Sequence, residues 1–391
     1  MDRIKAELEQ LQQSGMARRL QPLSGRSGCL VDVQGRRLIN LSSNDYLGLA
    51  GDRDFLDEFY RQRTHRNSAD RYGLGTASSR LLTGDIDIAH ELEQLLGRLY
   101  EREAVLLFNS GYHANIGIIP ALFGKDDLIV SDKLNHASIH DGLQICRAPF
   151  KRFRHADYDH LRALLEKHRN SCRRLLIVSE SVFSMDGDCA ELKTLVELKH
   201  RYNAMLYLDE AHAVGLYGEN GLGLAERDGC IGEIDLLVGT FGKACGSIGA
   251  FLVCSDDIRD YLINRSRSLI FTTALPPVVL SWNHFVMNRI SGMGDKRDHL
   301  AAVADQLRKG LQDQGLQTGG STNIVPVIIG DARKAVEGAQ MLQERGFYVL
   351  PVRPPTVPTG TSRFRLSLTA DLQFEQLAQL PGYISSWLTP P

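Results

Sequence analysis

The sequence predicts an α/β protein: a large domain on a mostly parallel sheet covered by helices, followed by a smaller C-terminal α+β domain. Three observations lead there. Strand-length apolar runs, "DLIVSD", "RLLIVSES", "AMLYLDEA", "DLLVGTF" and "GAFLVCS", recur through the middle of the chain. Stretches of helical periodicity, "YDHLRALLEKHR" and "AELKTLVELKHRY", lie among them, and continuous apolar strands alternating with helices mean a sheet buried on both faces. The chain has 391 residues, more than one core accommodates, since single cores stop growing at roughly 250 to 300 residues.

In chain order, residues 1 to about 19 read as a helix, and "VDVQGRRLINLSSNDYLGLA" as a short hairpin around Gln34-Gly35 running into a polar loop. In "IDIAHELEQLLGRLYE", Leu92, Leu95, Leu96 and Leu99 share one helical face. The strand and helix alternation follows. From about residue 290 the pattern changes to "DHLAAVADQLRKGLQDQG", "TNIVPVIIG", a helix at "ARKAVEGAQMLQERG", then "FYVLPV", "SRFRLSLT" and a last helix, the outline of a small domain on a short antiparallel sheet. The expected division is an N-terminal helix and hairpin at 1–50, a large domain at 51–288 and a small domain at 289–391.

Composition narrows the function. Hydrophobic residues make up 43% and charged residues 24%, with a net charge of -2, so no general affinity for nucleic acid or membrane surfaces is expected. The N-terminus lacks the apolar core of a signal peptide and no apolar run is long enough to span a bilayer, which points to the cytoplasm. Seven scattered cysteines without C-x-x-C spacing suit a reducing compartment and no metal site; Cys245, two residues from Lys243, shows no sign of an activated thiol.

Chemistry gathers at the strand ends, where ligands sit in parallel sheets. Lys243 follows the run "LVGTF" among small residues; Asp209 ends "AMLYL" and precedes His212 in "DEAH"; Ser110, Gly111 and Tyr112 in "NSGYHAN" open an apparent helix whose amides can bind an anion. A buried aspartate needs a cationic or hydrogen-bonding partner, although capping a turn is the plainer use. A lysine, an acid and a small-residue phosphate cup, with Thr240 three residues before the lysine, are what pyridoxal phosphate requires. Each signal alone is weak.

In order, "NDYLGLA" (44–50), "NSGYHAN" (109–115), "DKLNHASIHDG" (132–142), "SESVFSMDGD" (179–188), "LDEAHAVGLYGENGLG" (208–223), "TFGKACG" (240–246) and "RPPTVPTGTSRFRLSLTA" (353–370) resemble the motifs of the α-oxoamine synthase family over nearly the whole chain. The resemblance implies the fold type I architecture of pyridoxal-phosphate transferases and an enzyme that joins an amino acid to an acyl thioester with loss of carbon dioxide. It implies that Lys243 holds the cofactor covalently, that Asp209 pairs with its ring nitrogen, and that His136 stacks on the ring. His212 and Ser184 would contact its phenolic oxygen. Ser110, Gly111, Tyr112 and Thr240 would help hold it, and Thr272 or Thr273 of "FTTALPP" would reach the phosphate of a partner subunit in a homodimer. For the substrates it implies Arg365 on the amino-acid carboxylate, with Arg18, Asn44, His136 and Thr356 toward the acyl chain and intermediate.

The stretch "RPPTVPTGT" is most similar to the branch that condenses L-alanine with a pimeloyl thioester, carried on coenzyme A or on an acyl carrier protein. Branches using glycine with acetyl-CoA or succinyl-CoA, or serine with a long-chain thioester, stay open, because substrate choice rests on a few pocket residues. So do an ordinary aminotransferase and a non-catalytic partner subunit, although the lysine argues for an enzyme. "YGLGTASSRLLTG", from Tyr72 to Gly84, carries fewer glycines than relatives often do, and none of its residues is assigned to the cofactor.

Overall fold

The structure is a computed structural model that describes residues 2–389. The chain divides into two compact units: Met1–Arg53 with Ser184–Asp188 and Asp295–Pro391, and Asp54–Phe183 with Cys189–Gly294, the central unit.

In the central unit seven strands form one sheet in the spatial order Ala104–Phe108, Ala250–Cys254, Leu236–Thr240, Met205–Asp209, Leu175–Glu180, Leu128–Asp132 and Phe150–Phe153. All pairings are parallel except those of Ala250–Cys254, antiparallel to both neighbours. All five expected runs are strands. Ala104–Phe108 and Phe150–Phe153 were not expected; "AVLLF" follows a helix without a turn signal, and "FKRF" is an edge strand with two charges at its centre.

Alternate residues on these strands, Leu106, Val178, Tyr207, Val238 and Leu252, pack with Ile118, Ile119, Leu143 and Leu269 in one buried cluster. The opposite positions, Val105, Leu107, Ile177, Leu237, Phe251 and Val253, are buried as well. Both faces are therefore covered, which explains why the runs are continuously apolar. At roughly 1.5–3 kcal/mol for each large side chain taken out of water, this burial outweighs any single polar contact. Helices Gly111–Leu122 and Ala137–Ile145 pack on one another beside the sheet, and each begins at the residues that the motifs single out.

In the other unit, Leu30–Val33 and Arg36–Asn40 form the expected hairpin, with Gln34 and Gly35 both at positive φ, as a two-residue turn between twisted strands requires. The first helix is Asp2–Gln13, shorter than expected; Gly15 at φ +70° turns the chain out of it. "FYVLPV" is not one strand: Phe347–Tyr348 pairs in parallel with Arg36–Asn40, and Pro351–Val352 joins an antiparallel sheet with Ser362–Ser367 and Ile324–Gly330. Among the described residues no helix is long and apolar enough to cross a membrane.

Candidate active site

Asp132, Glu180, Asp209 and Thr240 end four parallel strands of the central sheet, with Glu180 and Asp209 directly paired in register. The sheet thus delivers acidic groups side by side at its carboxyl edge, where parallel sheets bind ligands. Asp209 is 4% exposed. Its Oδ1 accepts from the Ala211 amide at 2.9 Å and its Oδ2 from Asn115 Nδ2 at 3.0 Å. Among the described residues no cationic side chain forms an ion pair with it. A buried carboxylate so placed fits a ligand cation, such as a protonated ring nitrogen.

His136, an exposed residue, caps helix Ala137–Ile145, its Nδ1 accepting from the Ser138 amide. Surrounding protein lowers its pKa, ahead of the opposing pull of Asp209 and the push of Lys243. Glu180 accepts a hydrogen bond from the His136 amide, and burial, then Asp209, hold its carboxyl well above the usual range while Lys243 acts the other way. Asp209, Lys243, His136 and Glu180 therefore share one electrostatic neighbourhood. His212, buried, follows in the turn after Asp209.

Lys243 lies in the turn after Leu236–Thr240. Its carbonyl accepts from the Gly246 amide at 2.9 Å, and Gly246 sits at φ +62°, where a side chain would be strained. Thr240 Oγ1 donates to the Gly249 carbonyl at 2.9 Å and accepts from the Gly242 amide at 3.1 Å, so the threonine shapes the turn that carries the lysine. Cys245 is fully buried, with its carbonyl bonded by Trp282 Nε1.

Ser110 is the N-cap of helix Gly111–Leu122, accepting from the His113 amide. The amides of Gly111 and Tyr112 have no acceptor among the described residues, and at a helix N-terminus they are free for an anion. Tyr112 Oη donates to Asp141 Oδ2 at 2.8 Å. Asn109, next to the cap, donates to Thr272 Oγ1 at 3.1 Å and to the Thr273 carbonyl at 2.8 Å within the same chain. The Tyr72 to Gly84 stretch packs onto the same segment, the Ala274 amide donating to the Ser78 carbonyl at 2.9 Å.

In the other unit Arg365 gathers Asn44 and Ser184. Its Nε donates to the Ser184 carbonyl, Nη1 to Asn44 Oδ1 at 3.1 Å and Nη2 to Tyr46 Oη at 3.1 Å. All three acceptors are neutral, so the guanidinium is aimed without being neutralised, unlike Arg363, which is ion-paired to Asp186. Arg18 and Thr356 meet at 3.3 Å, and Arg353 donates to the carbonyls of Gly15 and Ala17 beside them. The sequence reading missed Tyr46, Asn115, Ser138, Glu180 and Tyr207. For Asn115 there was a signal: a polar residue one helical turn after Gly111, entering the apolar run "IGIIPAL".

The family described as aminotransferase class I and II matches residues 36–384. An 8-amino-7-oxononanoate synthase from Chlorobaculum parvum is 50% identical over 385 residues, covering 98% of each chain. A serine palmitoyltransferase from S. paucimobilis, solved with a bound PLP-myriocin aldimine, superimposes with a TM-score of 0.90 at 32% identity, covering 99% of this chain and 96% of that one. The 8-amino-7-oxononanoate synthase of Francisella tularensis superimposes with a TM-score of 0.73 at 27% identity, covering 89% of this chain and 97% of that one. Pyridoxal phosphate fits what the central unit offers: a lysine, a buried carboxylate with no ion-paired cation among the described residues, and amides at a helix start that meet no acceptor among them. The chain belongs to the α-oxoamine synthases within the class I and II aminotransferase family, enzymes of fold type I that use pyridoxal phosphate.

Proposed function

We propose that the chain catalyses the 8-amino-7-oxononanoate synthase reaction of biotin biosynthesis, a decarboxylative condensation of L-alanine with a pimeloyl thioester of coenzyme A or acyl carrier protein. The observation that carries this is the 50% identity, over nearly the full length of both chains, to a relative of that name. In the overall reaction the α-carbon of alanine displaces the thiol from the pimeloyl carbonyl, and the alanine carboxylate departs as carbon dioxide.

Bound pyridoxal phosphate supplies a carbonyl that captures the alanine amine and an electron sink for the α-carbanion. Lys243 would hold the cofactor and supply the amine that takes the α-proton. Asp209 keeps the proton on the ring nitrogen, and its burial strengthens that hold. Ser110, Gly111, Tyr112 and Thr240 would hold the phosphate, and His212 and Ser184 would serve the phenolic oxygen. Arg365 binds the alanine carboxylate through its fork, and Arg18, Asn44 and Thr356 face the acyl chain.

The working form in this reading is a cytoplasmic homodimer in which Thr272 or Thr273 reaches the partner's phosphate. The exposure of Leu74 (89%), Leu82 (78%) and Phe271 (70%) in the central unit supports a covered face there. A monodisperse, fully active monomer in sedimentation would refute the dimer. For the reaction, the assay is thiol release and product mass with pimeloyl-CoA and alanine, glycine or serine. Release with alanine and a product of the oxononanoate mass is expected; preferential release with serine would move the chain toward the palmitoyltransferase reaction.

A further inference from the structure

A buried chain of hydrogen bonds in the central unit joins Asp209 to His136, and its direction can be read one group at a time. Asp209 Oδ2 is 3.0 Å from Asn115 Nδ2. Rotating that amide would set its oxygen against the carboxylate, acceptor against acceptor, so the carboxylate fixes which way Asn115 faces. Tyr207 Oη accordingly donates to Asn115 Oδ1. The second hydrogen on Asn115 Nδ2 goes to Ser138 Oγ at 2.8 Å.

Ser138 Oγ, having accepted, has one proton to give. His136 Nδ1, 2.7 Å away, is the acceptor it meets among the described residues. The Ser138 backbone amide points at the same nitrogen from 3.2 Å. A hydrogen on Nδ1 would meet that N–H head on. Two donors converging on Nδ1 leave it the lone-pair nitrogen of the ring. From the other direction, Glu180 holds the His136 amide, so backbone and ring are both anchored.

We infer that Asn115 and Ser138 are positioning residues that hold His136 as the neutral tautomer protonated at Nε2. In that form the ring is a hydrogen-bond donor to a substrate oxygen and leaves proton abstraction to Lys243. The lowering of the His136 pKa by its surroundings accords with a neutral ring. The inference deepens the proposed reaction and rests on it only for the identity of the oxygen that receives the hydrogen bond.

The test is nitrogen NMR on holoenzyme labelled with ¹⁵N-histidine. The His136 signals, among 12 histidines, are assigned by their loss in His136→Gln. Wild type is expected to show Nε2 protonated and Nδ1 bare. Tyr207→Phe keeps that pattern, because Asp209 still orients Asn115. Ser138→Ala removes one of the two donors and raises the Nδ1-protonated fraction several-fold, while the backbone amide that remains at position 138 keeps the Nε2-protonated form in the majority. A protonated Nδ1 in wild type overturns the inference whether or not any variant folds, and so does a Ser138→Ala spectrum identical to wild type. Failure to condense alanine with pimeloyl-CoA would refute the reaction and leave the tautomer standing, so the two failures are distinct.

Discussion

Replacing Arg365 with lysine keeps the positive charge and removes the fork. In the structure Arg365 spreads its donors over Ser184, Asn44 and Tyr46, all neutral, and among the described residues no acid forms an ion pair with it. A carboxylate ligand would therefore meet a fixed planar guanidinium whose charge is unspent. Lysine supplies a point charge and at most one well-directed bond to each oxygen, so the variant loses about one charge-assisted hydrogen bond, worth roughly 1.5–3 kcal/mol. That corresponds to a rise of roughly 10- to 150-fold in the KM for alanine. The assay is thiol release with alanine varied at saturating pimeloyl-CoA, then the reverse. The KM for the acyl donor should stay within about twofold of wild type, since in the proposed reaction alanine alone uses this group. Cofactor absorbance and melting temperature report whether the variant is otherwise intact. An alanine KM unchanged within twofold, in a folded variant, would refute the assignment.

Lys243→Ala should still bind pyridoxal phosphate but lack the absorption band of the covalently attached cofactor; retention of that band would exclude Lys243 as the attachment point. Asp209→Asn keeps the shape and removes the charge opposite the ring nitrogen; an opposite charge is worth about 1–3 pKa units, so turnover should fall roughly 10- to 1,000-fold, and near-wild-type turnover would contradict the role. Glu210 is fully buried, accepting from Ser181 and the amides of Leu224 and Ala225, and its carboxyl is pushed up from 4.5 to about 7, chiefly by burial. Between those two values the unfolded chain releases a proton that the folded protein keeps. Stability from this group is thus complete below pH 4.5 and lost as pH rises through 7, by about 3 kcal/mol in all. Melting temperatures across that window should fall more steeply for wild type than for Glu210→Gln, and equal slopes would refute the assignment.

Five strands of the sheet were legible because burial on both faces leaves an unbroken run bounded by turn signals, as in "LLIVSE" or "LLVGT"; "AVLLF" is as apolar but follows a helix without a turn signal. It was not legible at "FKRF", whose central charges lie on an exposed edge, nor at "FYVLPV", where two short pairings to different sheets share one apolar segment. Lys243, Asp209 and Arg365 could be named because their motifs are continuous in sequence. The bonds that tie Asn115 to Ser138, Tyr207 and Asp209 span 23 to 94 positions, and local pattern does not encode those. Tyr46 sits inside the quoted "NDYLGLA", yet only folding shows its hydroxyl receiving Arg365.

The parallel pairing of Arg36–Asn40 with Phe347–Tyr348 puts a delay into the birth of the protein. Leu41 donates to the carbonyl of Tyr348, a residue made roughly 300 positions later, and at about 5–20 residues per second the ribosome needs on the order of 15–60 s to supply it. For that time the N-terminal hairpin presents an open strand edge to every other nascent chain. Slower translation lengthens the exposure, so the yield of folded protein should depend on elongation speed and on chaperones that shield β edges, even where codon changes leave the amino acids untouched.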